Sequence, residues 1–223
     1  MTEESLPSQL APQTVDYVAG AVKSLVGAVP FAGSLLVEIA GTVIPNQRME
    51  RVAKFAADLE VRLSRIEQGF VVSQLGDEHF TDLMEEALRQ AARSLSDDRR
   101  AQIANVVAGS LTSEDITYVD SKHLLSIAGE LNDIEIIRLG RYVFDEFGTG
   151  QEYWERHASV LEPVAATFES SQGEIDRETL QQSYDEHLAR LGLVSDGRLT
   201  RLGRLLCREL EVPSKAEQEG TFS

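Results

Sequence analysis

The feature that most constrains this chain is a spacing. From residue 49 to residue 143 apolar side chains recur at intervals of three and four, and no run of alternating strand residues breaks the pattern. Met49, Val52, Ala56, Leu59, Leu63 and Ile66 form one stripe, because 3.6 residues per turn bring such positions onto one face of a helix. Arg51, Lys54, Asp58, Arg62 and Arg65 fall on the opposite, solvated face, and Asn46 is placed to cap the start. Further starts follow the same logic, since a short oxygen side chain satisfies the free N–H groups of a first helical turn. Asp77 precedes Phe80, Leu83, Met84, Ala87, Leu88 and Ala91; Ser96 precedes Ile103, Val106 and Val107; Ser113 precedes Ile116, Val119, Leu124 and Ile127. Asn132 and Glu135 have capping-box spacing ahead of Ile137, Leu139 and Val143. The prediction is an all-α, multi-helix bundle.

Residues 18–44 differ from everything around them, being apolar or small throughout with only Lys23 and Glu38 charged. Pro30 divides the stretch, so two short helices forming an apolar hairpin are expected rather than one rod. Its glycines and alanines permit close helix packing inside a bundle. The same residues also suit contacts beyond the chain: Leu25, Val29, Phe31, Leu35, Leu36, Ile39 and Val43 form a candidate interaction or membrane-active face. Each half is too short to cross a hydrocarbon layer of about 30 Å. Straightened, the stretch could span it, but Lys23 and Glu38 would each cost about 2.5–3.5 kcal/mol at its centre. Constitutive insertion is therefore disfavoured, and only a conditional, triggered insertion survives as an alternative.

Gly148-Thr149-Gly150 is the clearest interior breaker and marks the expected domain boundary. The expected organisation is a lead-in at 1–12, a helical bundle at 13–147, a smaller helical module at 151–211 and a tail at 212–223. Trp154, Leu161, Val164 and Phe168 predict a helix kinked at Pro163. Leu180, Tyr184, Leu188 and Leu191 mark another, which Gly192 can end. Asp196-Gly197 then suits a tight hairpin turn, and Thr200 caps a helix through Leu202, Leu205, Leu206 and Leu210. The run from Leu188 to Val194 followed by Leu199 to Leu206 resembles the recognition-helix, wing and closing-helix stretch of bacterial winged helix-turn-helix domains, over residues 176–210. That resemblance implies a helix entering a DNA groove, with Arg198, Arg201, Arg204 and Arg208 as a candidate basic strip. The wing is shortened, however, and the helix before it carries Glu178, Asp185 and Glu186.

Charge weighs on the choice of function. With 21 Lys and Arg against 37 Asp and Glu the net charge is −16, which repels phosphate backbones and anionic lipid surfaces at long range. The start Met1-Thr2-Glu3-Glu4-Ser5 is acidic, unlike a secretory signal, so a cytoplasmic location is expected, with membrane association only on activation. One cysteine, Cys207, excludes an internal disulfide. His79, His123, His157 and His187 lie in separate predicted helices, without a second ligand at metal spacing. No phosphate loop, nucleophile elbow or paired-carboxylate frame stands out, so no catalytic, cofactor or metal site is expected. The function expected is a non-enzymatic protein-interaction or regulatory component that self-associates through residues 18–44. The alternatives are a conditional membrane-active effector of pore-forming or cell-death type using residues 18–44, and a DNA-binding transcriptional regulator using residues 176–210.

Overall fold

A computed structural model describes residues 48–74, 76–145 and 150–212 of the chain. The expected apolar hairpin, with Leu25, Val29, Phe31, Leu35, Leu36, Ile39 and Val43, lies outside the described residues, as do Asn46, Gly148 and Thr149. Within them the protein is all-α apart from one two-stranded hairpin. No helix among the described residues is long and apolar enough to cross a membrane. The chain divides into two compact units, Met1–Lys122 and His123–Ser223, and the division falls inside a helix.

In the N-terminal unit α1 (Met49–Leu63), α3 (Glu78–Arg93) and α4 (Asp97–Ser110) pack on one another, with the short α2 (Gln68–Gln74) between the first two in sequence. Val52, Ala56, Leu59, Phe80, Leu83, Leu88 and Ile103 are buried, stripe positions expected from the helical period, and Phe55, which was not among them, is buried completely as well. Asp77 caps α3 by accepting from the amides of His79 and Phe80, and Ser96 caps α4 by accepting from the amide of Arg99. At α1 the N-cap residue is Arg48, which makes no side-chain cap bond.

Arg99 and Arg100 are buried in the first turn of α4. Arg100 donates Nη1 to the carbonyl of Ser94 at 3.0 Å and pairs Nη2 with Asp97, tying the first turn of α4 to the connector that enters it.

The helix α5 (Tyr118–Glu130) starts later than its sequence signal suggests. Ser113 accepts from the amides of Asp115 and Ile116 and closes a turn, so its capping capacity is spent there. The actual start is a reciprocal pair: Asp120 donates its amide to the hydroxyl of Thr117, and Thr117 donates its amide to the carboxylate of Asp120.

The C-terminal unit contains α6 (Asp133–Asp145), α7 (Gln151–Arg156), α8 (Ala158–Leu161), α9 (Gln172–Arg190), the strands β1 (Val194–Ser195) and β2 (Arg198–Leu199), and α10 (Arg201–Leu210). The Asn132–Glu135 capping box is present in both directions, at 2.8 and 2.9 Å. Pro163 stops the helix expected to reach Phe168: α8 ends at Leu161, Val164 lies in irregular chain and Phe168 is fully exposed. Proline both lacks the amide a continuing helix needs and forces its predecessor out of helical geometry. The α6 helix packs against α8, α9, α10 and β2, and Phe144, Tyr153 and Leu161 form a buried cluster there.

The hairpin that follows α9 is antiparallel, pairing Val194 with Leu199 and Ser195 with Arg198. Both turn residues, Asp196 and Gly197, have positive φ, the type I′ geometry that matches strand twist. Thr200 caps α10 by accepting from the amide of Gly203 at 3.0 Å, while its own amide donates to the carbonyl of Leu193. Helix α10 lies so close to the end of α9 that a Cβ added at Gly203 would collide with the Leu193 carbonyl oxygen.

Candidate functional site

The most developed polar site lies in the C-terminal unit, where α6 and α9 meet. Residues 135 and 138 of α6 are one turn apart and face the same neighbour. Arg138, only 3% exposed, forks onto Asp185 of α9, with Nε 3.0 Å from Oδ1 and Nη2 2.6 Å from Oδ2. Its remaining arm donates to the carbonyl of Val160 at 3.2 Å, binding the end of α8 to the same point. Arg141 follows one turn on, 3.6 Å from Asp185 Oδ2, with its guanidinium over the Tyr142 ring and donating to that hydroxyl.

Beside this pair is a second one. Glu135, 3% exposed, shares one carboxylate between two partners: Oε2 accepts from the Asn132 amide, and Oε1 lies 2.6 Å from Nδ1 of His187. A third tie joins α9 to the chain after α8, through the Gln181 side chain. Its amide nitrogen donates to the carbonyl of Glu162 at 2.8 Å and its oxygen accepts from the Val164 amide at 3.1 Å. Gln181, Asp185 and His187 therefore hold the C-terminal half of α9 in place by polar contacts.

Between α6, α9 and the β1–β2 turn these contacts leave a cleft of about 580 Å³. Leu161, Pro163, Val164 and Val194 give it an apolar lining, and Glu178, Glu186 and Asp196 bring carboxylates to it. Its size lies in the range of sites that enclose a side chain or small ligand.

The rest of α9 contrasts with this end. Among its 19 residues only Leu188 is buried, and Ile175 and Leu180 are exposed. Local bonds four residues apart add to its order, Gln172 to Asp176 in the free half and Gln182 to Glu186 at the clamped end, both at 2.8 Å. At its start the Ser171 amide donates to the Glu174 carboxylate at 2.8 Å, which holds that carboxyl below the usual value of 4.5. A depressed folded-state value means the contribution is complete above about 4.5 and is lost as pH falls below it. Acid titration followed by far-ultraviolet circular dichroism should show fraying of α9 over that window. Glu174→Gln should remove the component, since it takes away the titrating carboxyl that the Ser171 amide holds, and an unchanged titration in that variant would contradict the assignment.

The candidate basic strip is carried by β2 and α10. Arg198, Arg201, Arg204 and Arg208 are all exposed. Two of them are engaged locally: Arg204 donates to the carbonyl of Leu199 at 2.9 Å and Arg208 pairs with Glu209 at 3.0 Å. Of the histidines, His79 and His123 are exposed, His157 packs on the Tyr153 ring and His187 joins Glu135.

Cys207 is buried on α10, and burial pushes its thiol up to about 12. At pH 8 only about one molecule in ten thousand would carry the reactive thiolate. Native protein should therefore be inert to Ellman's reagent and react fully once denatured. Rapid modification of the native form would show that α10 opens readily.

Arg138, Asp185, Glu135 and His187 were not singled out as a site by the sequence. The capping box made Glu135 conspicuous, but its partner is 52 residues away, and the Arg138–Asp185 pair is separated by 47. No family model, curated protein or solved structure matches this chain.

Proposed function

We propose that this protein is a non-enzymatic interaction or regulatory component, self-associating through the apolar stretch at 18–44 and offering its C-terminal unit to a protein partner. The observation that carries the reading is the asymmetry of α9. One end is clamped by a buried arginine fork, while the other presents Ile175 and Leu180 to solvent on a helix that buries a single residue. A helix with so little packing draws its order from caps and side-chain pairs, and most helices in folded proteins gain theirs from a covered face. A surface held rigid yet left uncovered suits docking, since the ordering entropy is spent before the partner arrives.

The helix, hairpin, helix order of residues 172–210 supports a winged-helix-like module serving this role. Its leading helix carries Glu174, Asp176, Glu178, Asp185 and Glu186 against Arg177 and Arg190. That balance opposes the counterion release on which duplex binding depends and favours a protein partner.

Light scattering of the full chain over a range of concentrations tests the self-association. A mass above that of one chain is expected, reduced by Leu36→Asp. A mass of one chain at every concentration would reject it.

A further inference from the structure

We propose that the cleft bounded by α6, α9 and the β1–β2 turn is a docking groove for a basic, amphipathic segment of a partner protein. This rests on the interaction reading above and adds the partner's chemistry. An apolar side chain of the partner would seat against Pro163 and Val164, and its lysines or arginines would meet the carboxylates of the rim.

Two observations give the charge sign. The cations in the lining are already committed, Arg138 to Asp185 at 2.6 Å and Arg141 to the same carboxylate at 3.6 Å. The other carboxylates of the lining are not. Among the described residues Glu178, Glu186 and Asp196 pair with no cation; Glu186 accepts from the Gln182 amide at 2.8 Å and Asp196 from the Ser195 hydroxyl at 3.1 Å. An uncompensated acidic rim around an apolar lining is complementary to a basic amphipathic segment and repels an acidic one.

The groove also has length. Ile175 is seven and eleven residues before Gln182 and Glu186, which places all three on one side of α9. Ile175 is 39% exposed and extends the apolar surface away from the cleft. From Ile175 to Glu186 the helix runs about 17 Å, enough to face about three turns of a bound helix.

A fluorescein-labelled twelve-residue peptide of lysine and leucine at helical spacing, titrated with the full chain at low salt and read by anisotropy, tests the proposal. Because a net charge of −16 attracts any basic peptide, two variants with the same charge change are compared. One neutralises the rim (Glu178→Gln, Glu186→Gln, Asp196→Asn); the other neutralises Glu114→Gln, Asp115→Asn and Glu130→Gln, which are exposed elsewhere. Amide replacements preserve shape, and thermal unfolding of both variants monitors the fold. The rim variant should weaken binding about tenfold, and the other should leave it near wild type.

Equal weakening by both variants would reduce the effect to bulk charge and overturn the groove, as would absence of binding. Spermine binding that depends on the rim while the peptide fails to bind would make it a small-polycation site and overturn docking. A wild-type chain that oligomerises by light scattering yet ignores the peptide would sink the groove and leave the interaction reading standing.

Discussion

Replacing Asp185 with alanine should destabilise the C-terminal unit more than any surface substitution in the protein. Arg138, 3% exposed in the intact protein, would be left with its Nε and Nη2 unanswered. Removing one partner of a buried ion pair costs about 3–5 kcal/mol, because the surviving charge keeps its desolvation penalty. Asp185 is 36% exposed on its side chain, so water can reach the vacated site and the loss should fall near the lower end. Urea unfolding would measure it, with Cys207 as a local reporter whose thiol becomes accessible when α10 separates. The companion variant Arg138→Met with Asp185→Leu should recover most of the stability, since apolar replacement of a whole pair is often close to neutral. If the single variant unfolds like wild type, the fork is not holding α9.

Gly203→Ala should be nearly as damaging, and for an unrelated reason. In an exposed helix the change would help by about 1 kcal/mol, since alanine is the better helix former. Here the added methyl collides with the carbonyl oxygen of Leu193, backbone that is itself fixed by the Thr200 amide. Overfilling a close contact costs about 1–3 kcal/mol and sometimes more, and the atoms met first are backbone, which cannot yield as the nearby Leu199 side chain could. The expected sign is therefore reversed, with a loss of about 3 kcal/mol or above. Gly173 is the internal comparison: it lies in α9 with open space where a Cβ would stand. Gly173→Ala should be neutral or stabilising. Equal effects at the two positions would contradict the close approach of α10 to Leu193.

Much of the architecture could be read from local chemistry. Asp77, Ser96, the Asn132–Glu135 box and Thr200 all cap helices, because an N-cap is decided by atoms within three residues of one another. The turn at Asp196-Gly197 is similarly local. Misreadings came where two local options competed. Ser113 had oxygen enough to start a helix or close a turn and closes a turn; apolar spacing carried the helix after Gly150 past Pro163, which stops it.

The candidate site was much less legible. Its central contacts join residues 47 and 52 apart, and nothing near Arg138 in sequence names Asp185. Arg100 is similar in kind: a charged pair beside Asp97-Asp98 reads as solvated until the fold buries it. Leu180, Tyr184 and Leu188 are equally good stripe positions, yet only Leu188 is buried.

By itself the amino-acid order determined helix type, most caps, the hairpin turn and the acidic balance, since these depend on near neighbours or on a sum over the chain. Tertiary structure alone decided which charges are buried and paired, which half of α9 is left open, and where acids gather around an apolar cleft. Those properties belong to surfaces brought together from distant segments, and burial is fixed only once both surfaces are in place.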